Sequence, residues 1–306
     1  MRAAKTSAAL SSTALLAGLS ALAASPAASP QPAVTRFLPI GTGQIAYDDT
    51  GGPGPLVIAI PGMGDLRSEY RLLRPLLQQA GYRVVTMDLR GMGESSAQWD
   101  DYSAHAVGRD ALALISRLNA GPAVILGNSF AAGAALWAAH DDATRVTGVA
   151  LLGPVLRDAQ VSWLARASLQ LAFAGPWNVW AWTAYWNSLF PTRKPADQAQ
   201  ARAALARNLH EPHRMAALKA MVELSKADTA AMVASNRVPV LVVMGTRDPD
   251  FDDPVAEAQW VVRQTGGQSL IVEGAGHYPH TEMPEKVAPT LLDFLARLRA
   301  PGAGAP

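Results

Sequence analysis

The chain contains no cysteine. That removes disulfide stapling, thiolate nucleophiles, iron–sulfur ligation and cysteine-type zinc sites. Net charge is equally scarce, with 26 Lys+Arg against 25 Asp+Glu, which leaves +1. No Lys/Arg run reaches five residues, whereas a nucleic-acid binder needs a clustered basic surface to displace counterions from phosphate. Nucleic acid is therefore not an expected partner. Only 17% of the 306 residues are charged and 49% are hydrophobic, which suits a chain with a large buried core rather than a disordered one.

Charge is also missing from one long stretch near the start. Arg2 and Lys5 precede an uncharged run from Thr6 through Thr35. Its centre, Ala14-Leu15-Leu16-Ala17-Gly18-Leu19, is apolar, and Ala21-Leu22-Ala23 offers the small residues of a cleavage site. A basic start, an apolar middle and a small-residue exit are the marks of a secretory signal. A membrane anchor would need about 20 strongly apolar residues, and Ser7, Ser11, Ser12, Thr13 and Ser20 dilute this run. Residues 1–33 are thus expected to be a signal peptide and flexible linker, sending the protein to the periplasm or outside the cell, with the cytoplasm as the alternative. Residues 300–306 read as a disordered tail.

From residue 34 the pattern becomes regular. Gln44 to Asp48 alternates like a strand, and Leu56-Val57-Ile58-Ala59-Ile60 is continuously apolar, as a strand covered on both faces requires. Helical spacing from Glu69 to Ala80 is followed by strands at 82–87, 123–126 and 146–152, with helices at 103–118 and 131–140 between them. Strands alternating with helices predict a mostly parallel, doubly covered sheet. The alternation stops near Gly153. Residues 154–235 show only helical patterns, before a strand (239–244), a helix (254–264), a strand (270–272) and a last helix (287–299). The expected organisation is an α/β core at 34–153 and 236–299 with a helical lid inserted between two strands.

Three segments lie where a strand hands over to a loop. In Gly127-Asn128-Ser129-Phe130-Ala131, a serine between a strand and a helix has small residues two positions to either side. A tight turn that projects a hydroxyl needs those small residues, and this is the pattern of a nucleophile elbow. Ala131 stands where glycine is commoner. The second segment is Gly245-Thr246-Arg247-Asp248-Pro249-Asp250, and the third Gly274-Ala275-Gly276-His277-Tyr278-Pro279-His280. Asp248 follows its strand directly, whereas Asp250, Asp252 and Asp253 suit turns or a helix cap; Asp158 is the reserve acid. His277 sits in the glycine-flanked part of its loop, and His280 is the alternative base. His105, His140, His210 and His213 have no ligand-like spacing with carboxylates, so no metal or cofactor is expected. Arg90 and Glu94 read as a loop ion pair.

The order Ser129, Asp248, His277, with gaps of 119 and 29 residues, resembles the α/β-hydrolase superfamily over residues 36–299. Pro61-Gly62-Met63-Gly64 is similar to that family's HGxG-type loop, and Asp88-Leu89-Arg90-Gly91-Met92-Gly93-Glu94-Ser95 to its D-x-R-G-x-G-x-S stretch. Pro61 and Met92 stand where histidine is frequent. The resemblance implies Ser129 as nucleophile, His277 as base, Asp248 as its orienting acid, and an oxyanion hole at the backbone N–H groups of Met63 and Phe130. Serine at 129 argues against haloalkane dehalogenases and soluble epoxide hydrolases, whose elbow carries aspartate. The implied reaction is cleavage of an ester or similar acyl bond through an acyl-enzyme. Carbon–carbon bond hydrolases and cofactor-free perhydrolases are the alternatives on this fold, and a lipid-surface or ligand-binding protein with an idle triad is the non-enzyme alternative.

Five of the eight tryptophans fall between Trp163 and Trp186, and no charge occurs from Ala167 to Phe190. Trp163, Phe173, Trp177, Trp180, Trp182 and Trp186 are candidates for an apolar acyl pocket. Packing of the lid on the core, or peripheral contact with lipid, would use the same side chains. A small molecule with an apolar portion is the expected partner.

Overall fold

The computed structural model describes residues 34–158 and 171–299. The expected export segment, the C-terminal tail and Trp163 lie outside them. Eight strands form one sheet: β1 (Arg36–Ile40), β2 (Gly43–Asp49), β3 (Leu56–Ile60), β4 (Arg83–Met87), β5 (Ala123–Asn128), β6 (Val146–Leu152), β7 (Val240–Gly245) and β8 (Gln268–Val272). Their spatial order is β1-β2-β4-β3-β5-β6-β7-β8. The β1–β2 hairpin and the β2–β4 pair are antiparallel; all other neighbours run parallel.

The core helices are α1 (Arg74–Gln79), α2 (Ala104–Leu118), α3 (Phe130–Asp141), α8 (Pro254–Thr265), the short α9 (Pro279–Glu282) and α10 (Pro284–Arg299). Alternate strand residues point to opposite faces. Ile58, Ile60 and Ile125 pack with Leu114 of α2, Leu136 of α3 and Val261 of α8. Val57, Ala59 and Leu126 pack on the other face with Leu77 of α1 and with Leu291 and Phe294 of α10. Both faces are therefore dry, which is why the strands are apolar throughout rather than alternating.

Local chemistry sets most boundaries. The Ser103 side chain accepts from Ala106 N–H to start α2, and Asp253 accepts from Ala256 N–H ahead of Pro254 to start α8. The stretch expected as one helix from Glu69 to Ala80 is instead a 3-10 turn at Arg67–Arg71 followed by α1. Pro75 has no N–H to continue the first piece and would clash with the carbonyl four residues back.

Between β6 and β7 lie α4 (Asn178–Ser188), α5 (Gln198–Leu209), α6 (Arg214–Glu223) and α7 (Ala227–Met232). This insertion is tied down by polar bonds as well as apolar contact. Arg71 donates twice to Asp197, at 2.6 and 2.7 Å. Asn208 exchanges two bonds with the Gly93 backbone, and Arg214 donates to the Ser95 carbonyl. Among the described residues no helix is long and apolar enough to cross a membrane.

Arg90 and Glu94 do not pair with each other. Arg90 is buried against Asp110 at 2.5 Å and stacks over Trp99, while Glu94 binds Arg67. Helix α2 returns Asp110 beneath the loop, and that proximity is invisible from the loop sequence alone.

Candidate active site

Ser129 is the residue between β5 and α3, and its backbone sits at φ 55°, ψ −122°. Positive φ in a residue with a Cβ is a strained state, costing about 1–3 kcal/mol, and it persists only when its neighbours hold it. Here Ser129 N–H donates to the Leu152 carbonyl at 2.9 Å, and its own carbonyl accepts from Ala132 and Val155. Gly127 makes the turn sterically feasible, since a Cβ there would lie 2.2 Å from the Ala131 carbonyl oxygen. The Asn128 amide nitrogen donates to the carbonyls of Leu152 and His277, bridging the elbow to the histidine loop.

Asp248 and His277 come from the ends of β7 and β8. A Cβ at Gly245 would lie 2.2 Å from the Ala275 carbonyl oxygen, so glycine lets the two loops approach backbone to backbone. His277 Nδ1 lies 2.8 Å from Asp248 Oδ2 and 3.6 Å from Asp250 Oδ2. All three are the only trio of acidic or histidine side chains among the described residues spaced closely enough to hold a metal ion. In the neutral imidazole, donation from Nδ1 to Asp248 leaves Nε2 as the free nitrogen. Burial disfavours the His277 cation, but the charges of Asp248 and Asp250 outweigh it and raise its pKa to about 9. Glu282 fixes the loop behind His277. One of its oxygens accepts from Gly276 N–H at 2.7 Å, and the other from Thr192 and Arg193 N–H of the insertion.

Met63 lines the cavity that holds Ser129, and Phe130 follows Ser129 directly in the chain. Neither residue's backbone N–H finds an acceptor among the described residues, and Phe130 opens α3, where first-turn donors have no partner within the helix. The loop carrying Met63 is held firmly. Gly62 N–H donates to Glu69, the Trp182 indole donates to the Gly64 carbonyl at 3.0 Å, and the Trp186 indole donates to Asp65 at 2.8 Å.

Ser129, His277 and Met63 line one cavity of about 1080 Å³. Phe173, Trp182, Leu189, Val222 and Phe251 give it an apolar wall, and Arg157, Asp158, Lys226 and Glu257 stand on a polar side. Two charge pairs occupy that side: Arg157 with Glu257, and Lys226 at 3.9 Å from Asp158. Asp158, the reserve acid, is thus spent on Ser225 and Lys226 and does not approach the histidine.

The aromatic candidates divide. Phe173 and Trp182 line the cavity. Trp186 does not; it is buried behind the Met63 loop, holding Asp65. Trp177 is 46% exposed and donates to the Leu171 carbonyl, and Trp180 is 67% exposed on the far side of α4. Helical periodicity turns neighbouring tryptophans to different faces, so composition could not separate them.

A second buried group was not legible in the sequence. His280 is fully buried, 2.7 Å from Glu69 Oε1, and is absent from the cavity, which excludes it as the alternative base. Burial pushes Glu69 up to about 8 and holds His280 down to about 3. Asp65 rises to about 7 through burial and the neighbouring Glu69 charge. Only the buried setting of the 3-10 turn, which places Glu69 beneath Gly62, reveals this cluster.

The chain is 28% identical over 305 residues to epoxide hydrolase A of Mycobacterium tuberculosis, covering 82% of this chain and 93% of that protein. It is 25% identical over 219 residues to 3-oxoadipate enol-lactonase 1 of Acinetobacter baylyi, covering 71% and 80%. Among solved structures, an esterase from a Rhodococcus species superposes with TM-score 0.70 at 23% identity, over 86% of this chain and 99% of that one. A model of the Alpha/beta hydrolase family matches residues 57–290. The sheet order, the elbow and that match agree: the chain belongs to the Alpha/beta hydrolase family and is a hydrolase.

Proposed function

We propose that the protein is a serine hydrolase that cleaves an ester or similar acyl bond in a substrate with an apolar portion. The observation that carries this reading is a strained Ser129 sharing an apolar-walled cavity with a His277–Asp248 pair. Ser129 Oγ attacks the acyl carbonyl while His277 Nε2 takes its proton. The oxyanion is met by the Met63 and Phe130 N–H groups, which have no competing acceptor among the described residues. His277 then returns the proton to the leaving alkoxide, and water releases the acyl group from Ser129 by the same route in reverse. Asp248 holds the imidazole with Nδ1 protonated. Serine rather than aspartate at the elbow argues against the epoxide chemistry named in one relative, and the esterase and enol-lactonase names among the others support acyl chemistry.

In this reading the insertion is a lid that supplies Phe173 and Trp182 to the acyl pocket, and residues 1–33 export the enzyme. Fluorophosphonate labelling of the purified protein beside Ser129→Ala tests the nucleophile. Labelling of the native chain alone is expected; no labelling, or equal labelling of both, sinks the reading. An ester series of rising acyl length should favour longer chains over acetate. N-terminal sequencing of exported material should begin between residues 24 and 34.

A further inference from the structure

Helix α4 has two working sides. Asn178, Ala181, Trp182 and Tyr185 face the cavity that holds Ser129. Val179, Thr183 and Asn187, spaced four apart and therefore in one stripe, line a separate groove of about 590 Å³ against α5. The groove also takes in Trp180, Lys194, Gln198, Arg202 and His210, and no acidic residue lines it.

Three observations meet there. The Gln198 side chain is 6% exposed, yet neither its amide oxygen nor its amide nitrogen has a partner among the described residues. A buried polar group left unpaired costs about 1–3 kcal/mol, so a turn of this side chain toward the groove it lines would give the amide the partner it lacks. Lys194 and Arg202 form no ion pair with any described residue, while the adjacent acids Asp197 and Glu211 are taken by Arg71 and Arg214. Trp180 lies 67% exposed along the rim. Unpaired cations, an unsatisfied amide and a bare indole are complementary to one kind of molecule, with an anionic oxygen head and an alkyl tail.

We propose that the α4–α5 groove binds a monomeric anionic amphiphile, its head between Lys194, Arg202 and the Gln198 amide and its tail along Trp180 and Val179. The site is distinct from the Ser129 cavity, and it stands whether or not the protein cleaves esters. Because α4 also carries Trp182 and Trp186, which grip the Met63 loop, an occupant would rest on the helix that shapes the other cavity.

Titration calorimetry of the full chain with dodecanoate, kept below its micelle concentration, tests this. Binding is expected for dodecanoate and not for dodecyltrimethylammonium. Lys194→Glu combined with Arg202→Glu should weaken it at least tenfold, and Gln198→Leu at least threefold, with the melting temperature checked for each. Should charge reversal prevent folding, Lys194→Gln with Arg202→Gln replaces it. Binding unchanged by these variants would place dodecanoate in the Ser129 cavity and overturn the proposal, as would no binding. Sedimentation with phosphatidylglycerol vesicles but no monomer binding would assign the cations to a membrane surface, which also overturns it.

Discussion

Two carboxylates compete for one imidazole proton, Asp248 at 2.8 Å and Asp250 at 3.6 Å from His277 Nδ1. A third acid, Glu69, adds a weaker pull toward the cation once it is ionised, above about pH 8. With the His277 pKa raised to about 9, the neutral base that Ser129 needs is only about 1% of the enzyme at pH 7. Activity is therefore expected to climb about tenfold per pH unit through neutrality and to level off above about 9. Asp250→Asn removes one of the two charges at Nδ1 and keeps an oxygen for the Tyr185 hydroxyl, which donates to Asp250 at 2.6 Å. An opposite charge at such range moves a pKa by about 1–3 units, and partial exposure of Asp250 favours the low end. Lowering the pKa by about one unit would leave about ten times more neutral His277 at pH 7. The variant should thus be up to tenfold faster at neutrality, with its limb displaced to lower pH. The assay is kcat/KM for a short alkyl ester in a pH-stat from pH 5 to 10. Coincident limbs in the two proteins would refute the role of Asp250, and a native midpoint at or below 6.5 would refute the charge reasoning altogether.

Trp186→Phe should destabilise the fold by about 1–3 kcal/mol, because buried Asp65 loses its indole donor. Since Asp65 is protonated below about 7 in the folded state, the penalty should be larger at pH 8 than at pH 5 in denaturant melts; equal penalties would count against this. Gly127→Ala forces a Cβ to 2.2 Å from a backbone oxygen and should cost about 1–3 kcal/mol or more, read as a melting temperature lowered by several degrees. An unchanged melting temperature would mean the elbow can relax around the methyl group.

Features set by neighbours along the chain were the ones legible before the structure. Apolar runs, the cap at Asp253 and the small residues around Ser129 depend on a few adjacent positions, so strand and helix ends fell within a few residues of those observed. Chain order and flanking residues likewise singled out Asp248 and His277, which the fold brings to 2.8 Å. Strand β1 escaped notice because Pro39 interrupts its pattern and it is a partly exposed edge. The Glu69–His280 pair spans 211 positions, and its carboxylate stands on a 3-10 turn that reads as an ordinary helix. Nothing local marks such a contact, and the division of the tryptophans between two faces of α4 was hidden in the same way.

Glu282 bears on how this enzyme could be re-engineered. A single carboxylate receives Gly276 from the histidine loop together with Thr192 and Arg193 from the connection between α4 and α5. Exchanging the whole insertion for that of a relative would strip two donors from an acceptor that also sets the histidine loop. A chimera whose graft begins after Arg193 would preserve that shared anchor and would vary the α5–α7 portion without disturbing the seat of His277.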